Sequence, residues 1–315
     1  MSSFTDSSAA RPRAVALVTS VCLALSLLLP CAPALAGAHK TIDRALIGRD
    51  EMPLYGKTIL YTTPRNYAGR LGRYLIEHGA RAIWMPTIVI EPMPDYSVLD
   101  DVLLNAGKYD WIAFTSRNGI EALLDRMGAL GLEQADLKGL RFAAVGNDAK
   151  ALEQAGITPD IVPPVSSPIG IVNELKRQGY TSGTVLVPAP EVVGMEEPEV
   201  VPDFIRDLEA IGLDTVKVPA YVTARATDGL ELGTQLLLDG KVDVIAFTSR
   251  GEMESLLLHL GDKRDVLDGD TAIACFGPIT AGGAKLRNLR VDIVADDYSR
   301  FQGFVSAMED YFDEP

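Results

Sequence analysis

The sequence reads as an α/β fold in two lobes, each a parallel sheet covered by helices on both faces. Six residues, IAFTSR, occur at 112–117 and again at 245–250, an offset of 133. Around both copies, apolar runs of strand length alternate with segments of helical spacing, the pattern of parallel-sheet proteins.

The body begins near Leu54. KTILYTT is an apolar, β-branched run, AGRLGRYLIEHG has helical spacing at Leu71, Leu75 and Ile76 before Gly79, and RAIWMPTIVI returns to strand. These three segments form a βαβ unit. GTVLVPA, EVVPDFIRDLEAIG and DTVKVPAYVT repeat that order, with Gly79 and Pro86 answered by Gly212 and Pro219. RFAAVG, ending at Gly146, is answered by AIACFG, ending at Gly277, and DIV at 160–162 by DIV at 292–294. Half one therefore spans about 54–180 and half two about 181–315, a period too long for a solenoid and suited to domain duplication. Each half predicts four or five parallel strands, so two flavodoxin-like lobes are expected. The first βαβ unit can also complete the sheet formed by the end of the chain. PTIVIEPMPDYS and VPAYVTARATDG are then placed as two crossovers.

Composition bounds the function. The chain is 47% hydrophobic and 23% charged, with a net charge of −14, which excludes nucleic acid as a partner because phosphate binding requires clustered cations. Before the body, Arg11 and Arg13 precede an uncharged apolar run, Ala14–Leu29, closed by Pro30 and an Ala-Leu-Ala triplet ending at Ala36. This has the form of a signal-like leader, occupying 1–51 with its linker; a membrane anchor is the competing reading, but the run falls short of the ~20 residues a span needs. Cys22 and Cys31 lie in the leader and Cys275 alone in the body. A mature body without a disulfide suits a reducing compartment: a plastid stroma reached by a bipartite leader is expected, with an exported or periplasmic protein as alternative.

Candidate site residues gather where strands end. Thr115, Ser116, Thr248 and Ser249 follow the WIAF and VIAF strands, at the edge where α/β sheets present ligands to helix amino ends. They can donate hydroxyl and N–H groups to carboxylates, or simply cap the helices that follow. Gly146-Asn147 and Gly277-Pro278 open helices after a second pair of strands, and glycine permits close backbone approach by an anion. No GxxxxGK[ST] or GxGxxG pattern is present, so no nucleotide cofactor is expected. His39, His78 and His259 are scattered, no metal is expected, and the acid-rich GMEEPEVVPD reads as a solvated loop.

In order, GKTILYTTP…LIEHGARAIWMPTIVIEP, YDWIAFTSRNGIEALL, FAAVGNDAKAL, VLVPAP…DLEAIGLDTVKVPAYVT, IAFTSRGEMESLL and IACFGPITAGGAKL resemble uroporphyrinogen-III synthases over nearly the whole body. The resemblance implies a cofactor-independent lyase of haem and chlorophyll biosynthesis. Such an enzyme closes the linear tetrapyrrole hydroxymethylbilane into uroporphyrinogen III, with loss of water and inversion of the last pyrrole ring. It implies two flavodoxin-like lobes, 52–91 plus 224–315 and 92–223, joined by a two-stranded connector. It also implies Tyr221 as proton donor to the departing hydroxyl, and substrate contacts from Thr115, Ser116, Thr248, Ser249 and Thr280. Many members have Thr-Arg after the first strand, where this chain has Thr62-Thr63 with Arg65 displaced, and a hydroxyl residue where Ala149 stands; Thr63 and Arg65 are carried over as substrate contacts. Few fixed cations are expected if dipoles and helix ends hold the ligand. A monomer without a membrane span is expected, with hydroxymethylbilane synthase as a transient partner. Two rival readings are an exported two-lobed solute-binding protein and a duplicated scaffold without activity.

Overall fold

A computed structural model describes residues 52–313. The leader with Cys22 and Cys31 lies outside the described residues. Among the described residues, no helix is long and apolar enough to cross a membrane.

The strands form two five-stranded sheets. In the first, β10 (Ile293–Val294), β9 (Ala272–Cys275), β8 (Val244–Phe247), β1 (Thr58–Tyr61) and β2 (Arg81–Trp84) lie in that order, all parallel. In the second the order is β3 (Ile88–Pro92), β7 (Asp214–Arg225), β6 (Thr184–Val193), β4 (Trp111–Phe114) and β5 (Arg141–Ala144). There β3 runs antiparallel to β7 and the other pairs are parallel. A bridge from Ala143 to Ile161 extends the pairing beyond β5.

Side-chain alternation explains why both faces are covered. On the first sheet, Ile59, Tyr61, Val244, Ala246 and Ala272 pack with α1 (Arg65–Glu77) and α10 (Phe301–Asp313). Their neighbours Leu60, Ile245, Phe247 and Ile273 face α7 (Glu231–Leu238), α8 (Arg250–Leu260) and α9 (Pro278–Leu286). On the second sheet, Ile112, Phe114 and Phe142 pack with α2 (Ser97–Leu104) and α3 (Arg117–Leu130), with α4 (Ala149–Gln154) alongside. Trp111, Ala113 and Val185 face α5 (Pro168–Arg177) and α6 (Val200–Ala210). The helices bury matching stripes, as in α1, where Ala68, Leu71, Gly72 and Leu75 are buried.

RAIWMPTIVI, read as one strand, is two. Pro86 has no N–H for a ladder. The chain bends there, with Met85 and Thr87 N–H donated to the carbonyls of Tyr61 and Thr62. Beyond Thr87 the chain leaves the first sheet and enters the second as β3.

Four aspartates fasten strand starts to their neighbours. Asp110, just before β4, accepts the Thr184 N–H at 2.8 Å, and Asp243, just before β8, accepts that of Thr58 at 2.7 Å. Asp160 and Asp292 take the N–H groups of Phe142 and Ile273, each at 2.8 Å. Each thus satisfies a donor that a strand end leaves without a ladder partner. Asp110→Ala and Asp243→Ala should each lower unfolding free energy by about 1–3 kcal/mol, the cost of orphaning such a donor. Urea unfolding measures it; a loss below about 0.5 kcal/mol would mean that water replaces the carboxylate.

Candidate active site

The carboxyl ends of strands from both sheets border one cleft of about 840 Å³, toward the upper end of the ~300–1,000 Å³ usual for small-molecule sites. Thr115, Ser116, Asn147 and Tyr221 line one side, and Thr248, Ser249, Gly277, Pro278 and Thr280 the other. Nine of the predicted residues therefore converge. Gly146 sits just behind the wall, with φ of 43° and no room for a side chain, since a Cβ would meet the Ser166 hydroxyl. A Cβ on Gly277 would run into the Tyr298 side chain, 2.8 Å from its Cβ. Thr63 and Arg65 do not line the cleft. Thr63 is fully buried with its hydroxyl unbonded, and Arg65 is exposed, 6.0 Å from the Trp84 ring.

Tyr221 owes its position to a bulge. Ala189 pairs with Pro219 and Pro190 with Tyr221, leaving Ala220 as an extra residue on β7. Ala220 and Tyr221 consequently share one buried cluster, which strict alternation forbids; re-aiming a side chain in this way is a common use of a bulge. The Tyr221 hydroxyl lies 3.0 Å from Ser116 Oγ. Burial pushes its pKa up to about 12, against the pull of hydrogen bonds with Ser116 and Asn118. At neutral pH it is a phenol with a proton to offer.

Both serines cap their helices: Ser116 Oγ accepts the Gly119 N–H at 3.4 Å, and Ser249 Oγ that of Glu252 at 3.3 Å. Beyond that the twin edges differ. Glu252 stands where the first copy has Gly119. Its buried carboxyl receives Thr62 Oγ1 at 2.7 Å, Thr248 N–H at 2.9 Å and Ser249 Oγ at 3.2 Å, together with the Thr248 hydroxyl. Burial raises its pKa while these donors oppose the rise. The hydroxyls of Thr248 and Ser249 are thus turned toward a protein carboxyl. Thr280 likewise gives its hydroxyl to the Thr248 carbonyl at 3.3 Å.

Sequence reasoning missed the charged members of the wall. Arg70, Arg117, Lys150, Arg250 and Arg300 all line the cleft, so it is richer in fixed cations than expected. Arg117 and Arg250 end the two IAFTSR copies, a signal present in the sequence but unused. Arg117 pairs with Glu121 at 2.6 Å, whereas Arg250 reaches Glu199 at 3.0 Å. Arg70 lies against the Tyr67 and Phe301 rings, 5.6 and 5.1 Å from their centroids. The loop expected to be solvated also contributes, through Glu197, Pro198 and Val200. Glu197 is neutralised by Lys217, and Glu199 by Arg250 and Arg287. Asn147 Nδ2 donates to the Ser299 carbonyl at 2.6 Å, and Asn66 Nδ2 and Tyr67 Oη to Asn118 Oδ1 at 2.9 and 3.1 Å, tying the two walls together. Among the described residues, no group of three or more His, Cys, Asp or Glu side chains is arranged to hold a metal.

Asp148 is the other missed residue. It lines the cleft beside Arg117, whose backbone N–H bonds to its carboxyl. Burial lifts its pKa from 3.8 to about 6, more than Arg117 and Arg70 can offset. A folded value above the unfolded one means that this group favours the fold fully below pH 3.8 and loses that contribution as pH rises through 6. Above pH 7 the ionised carboxylate therefore costs about 3 kcal/mol. Asp148→Asn should be more stable than wild type by up to that amount at pH 8, with the difference vanishing near pH 4. Urea unfolding at the two pH values tests this, and equal stability at pH 8 would contradict it.

Comparison with known proteins bears on this site. The sequence model of the family described as uroporphyrinogen-III synthase HemD matches residues 69–302. A uroporphyrinogen-III synthase of Synechococcus elongatus is 27% identical over 266 residues, covering 83% of this chain and 97% of that protein. A porphyrin biosynthesis protein HemD of Ruminiclostridium josui is 28% identical over 239 residues and 76% of this chain; the chain spans 45% of that longer protein. In fold, a mutant uroporphyrinogen III synthase of Thermus thermophilus superimposes with a TM-score of 0.62, at 18% identity, over 82% of this chain and all of that one.

Proposed function

Because the chain belongs to the uroporphyrinogen-III synthase family, we propose that it closes hydroxymethylbilane to uroporphyrinogen III in the cleft between its two sheets. The reaction is that of a hydro-lyase without a cofactor: the hydroxymethyl C–O bond breaks, water leaves, and the resulting azafulvene is attacked so that the last pyrrole ring is inverted before the macrocycle closes. The observation that carries this reading is Tyr221, a buried phenol placed by a bulge on the cleft wall beside Ser116. Its hydroxyl assists departure of the substrate hydroxyl as a proton donor. Holding a flexible chain in one folded form, so that the inverting attack outruns simple cyclisation, is the rest of the task. Arg70, Lys150 and the Thr115-Ser116 edge hold substrate carboxylates, whereas Thr248 and Ser249 serve through Glu252. The family match weighs against a two-lobed solute-binding protein.

The architecture is read as a duplication with exchanged segments, 52–91 plus 224–315 forming one lobe and 92–223 the other, with β3 and β7 as connector. Strand order supports this reading. With each βαβ unit numbered as strands one and two, both sheets run two-one-three-four, and the second reaches this order with its βαβ unit last in the chain. That is the flavodoxin-type arrangement. The paired aspartates at 110 and 243, and at 160 and 292, bind equivalent strand starts in the two sheets.

The direct test supplies the protein with fresh hydroxymethylbilane and separates the products by isomer. Type III product is expected, and type I alone at the spontaneous rate would sink the proposal. Tyr221→Phe should lower kcat roughly a hundredfold while leaving uroporphyrin III binding within about twofold, as a group acting in the transition state requires. Unchanged kcat would remove Tyr221 from the chemistry.

A further inference from the structure

The reaction proposed above both consumes and releases a proton. The departing hydroxyl leaves as water after receiving one proton. Another is released when the last carbon–carbon bond forms, because the attacking pyrrole carbon must lose its hydrogen for the C–H electron pair to restore the aromatic ring. Tyr221 can supply the first, which leaves it a phenolate, and a second group beside it would carry the proton from the pyrrole carbon back to that oxygen.

Asp148 meets this requirement. It borders the same cleft as Tyr221 and Ser116, and it is close enough to Tyr221 and Tyr67 for its charge to add to the burial that keeps both phenols protonated. Five groups face it. Arg117 and Glu121 come from α3, Arg70 and Tyr67 from α1, and Tyr221 from β7. Arg117 and Arg70 are cations, the tyrosines are neutral, and Glu121 is already joined to Arg117 at 2.6 Å. Asp148 is therefore the carboxyl of this cluster that is open to the cleft, held in place by the Arg117 N–H.

We propose that Asp148 is a second catalytic residue, the base that takes the proton released at ring closure. The step balances: Tyr221 gives its proton to the leaving hydroxyl, the pyrrole carbon gives its own to Asp148, and transfer from Asp148 to the Tyr221 phenolate restores both groups. The Asp148 charge also stands beside the cationic azafulvene while that intermediate exists. With a pKa of about 6, it is mostly ionised at neutral pH and weakly basic enough to release the proton again.

This role for Asp148 rests on the synthase reading, and the full chain tests both. For wild type, kcat/KM for type III formation should fall about tenfold between pH 7 and pH 5 as Asp148 protonates. Asp148→Asn should lose about a hundredfold or more at pH 7, lack that acid limb, and still bind uroporphyrin III. Asp148→Glu should regain part of the rate together with the limb. If wild type forms only type I product, the synthase reading fails. If wild type forms type III and Asp148→Asn keeps its rate, keeps the acid limb, or loses product binding in proportion to rate, the role of Asp148 alone fails.

Discussion

The antiparallel pairing of Ile88–Pro92 with Tyr221–Arg225 is the constraint on which the arrangement of the site depends. β3 emerges from the bend at Met85–Thr87 that closes the first sheet, and β7 returns the chain to it. β3 pairs with β7 and β7 in turn with β6 in the second sheet, so the two sheets are joined through a hydrogen-bonded ladder rather than a loose linker. That ladder holds the carboxyl ends of parallel strands from both sheets around one cleft. It also carries Tyr221, opposite Pro92 on one side and Pro190 on the other.

Given that frame, the chemistry of the two edges arises from small differences between near copies. IAFTSR in each sheet supplies a capped helix and an arginine. One residue, Glu252 in place of Gly119, fills the first sheet's edge with a buried carboxyl that absorbs its hydroxyls. At the other edge the acid arrives from a different turn, as Asp148, and faces the cleft beside a phenol and two guanidinium groups. This chain offers one edge whose hydroxyls a buried carboxyl takes up and one whose carboxyl faces the cleft, an asymmetry that suits the proposed change at a single pyrrole ring.

Much of this was legible in the sequence, for a physical reason. Strands buried on both faces must read as short apolar runs, and the duplicated markers located their edges to within a residue or two. Eight of the predicted residues reached the cleft because strand ends in a parallel sheet point one way, and Tyr221, the ninth, is brought there by the bulge in β7. The residues that escaped are those whose position depends on tertiary crossings. Pro86 gave notice of a break but not of a change of sheet. Asp148 sits in a short turn, and its proximity to Arg117 and Arg70 arises from α3 and α1, elements far apart in sequence. Thr63 and Arg65 were carried over by resemblance alone; one position separates the buried Thr63 from Thr62, whose hydroxyl is the one that reaches Glu252. The place of the acidic loop on the cleft wall escapes local reading because its carboxylates are matched by Lys217, Arg250 and Arg287 from distant segments, pairings that no local pattern displays.

One tetrapyrrole in the cleft between the sheets, with its reacting end at Tyr221 and its carboxylates on the cationic wall, is what the proposed synthase requires. A crystal structure of the complex with uroporphyrinogen III or uroporphyrin III measures this most directly. A macrocycle within reach of Tyr221 and Asp148, with carboxylates at Arg70 and Lys150, is expected. A macrocycle bound on another surface, with the cleft filled by solvent, would contradict it.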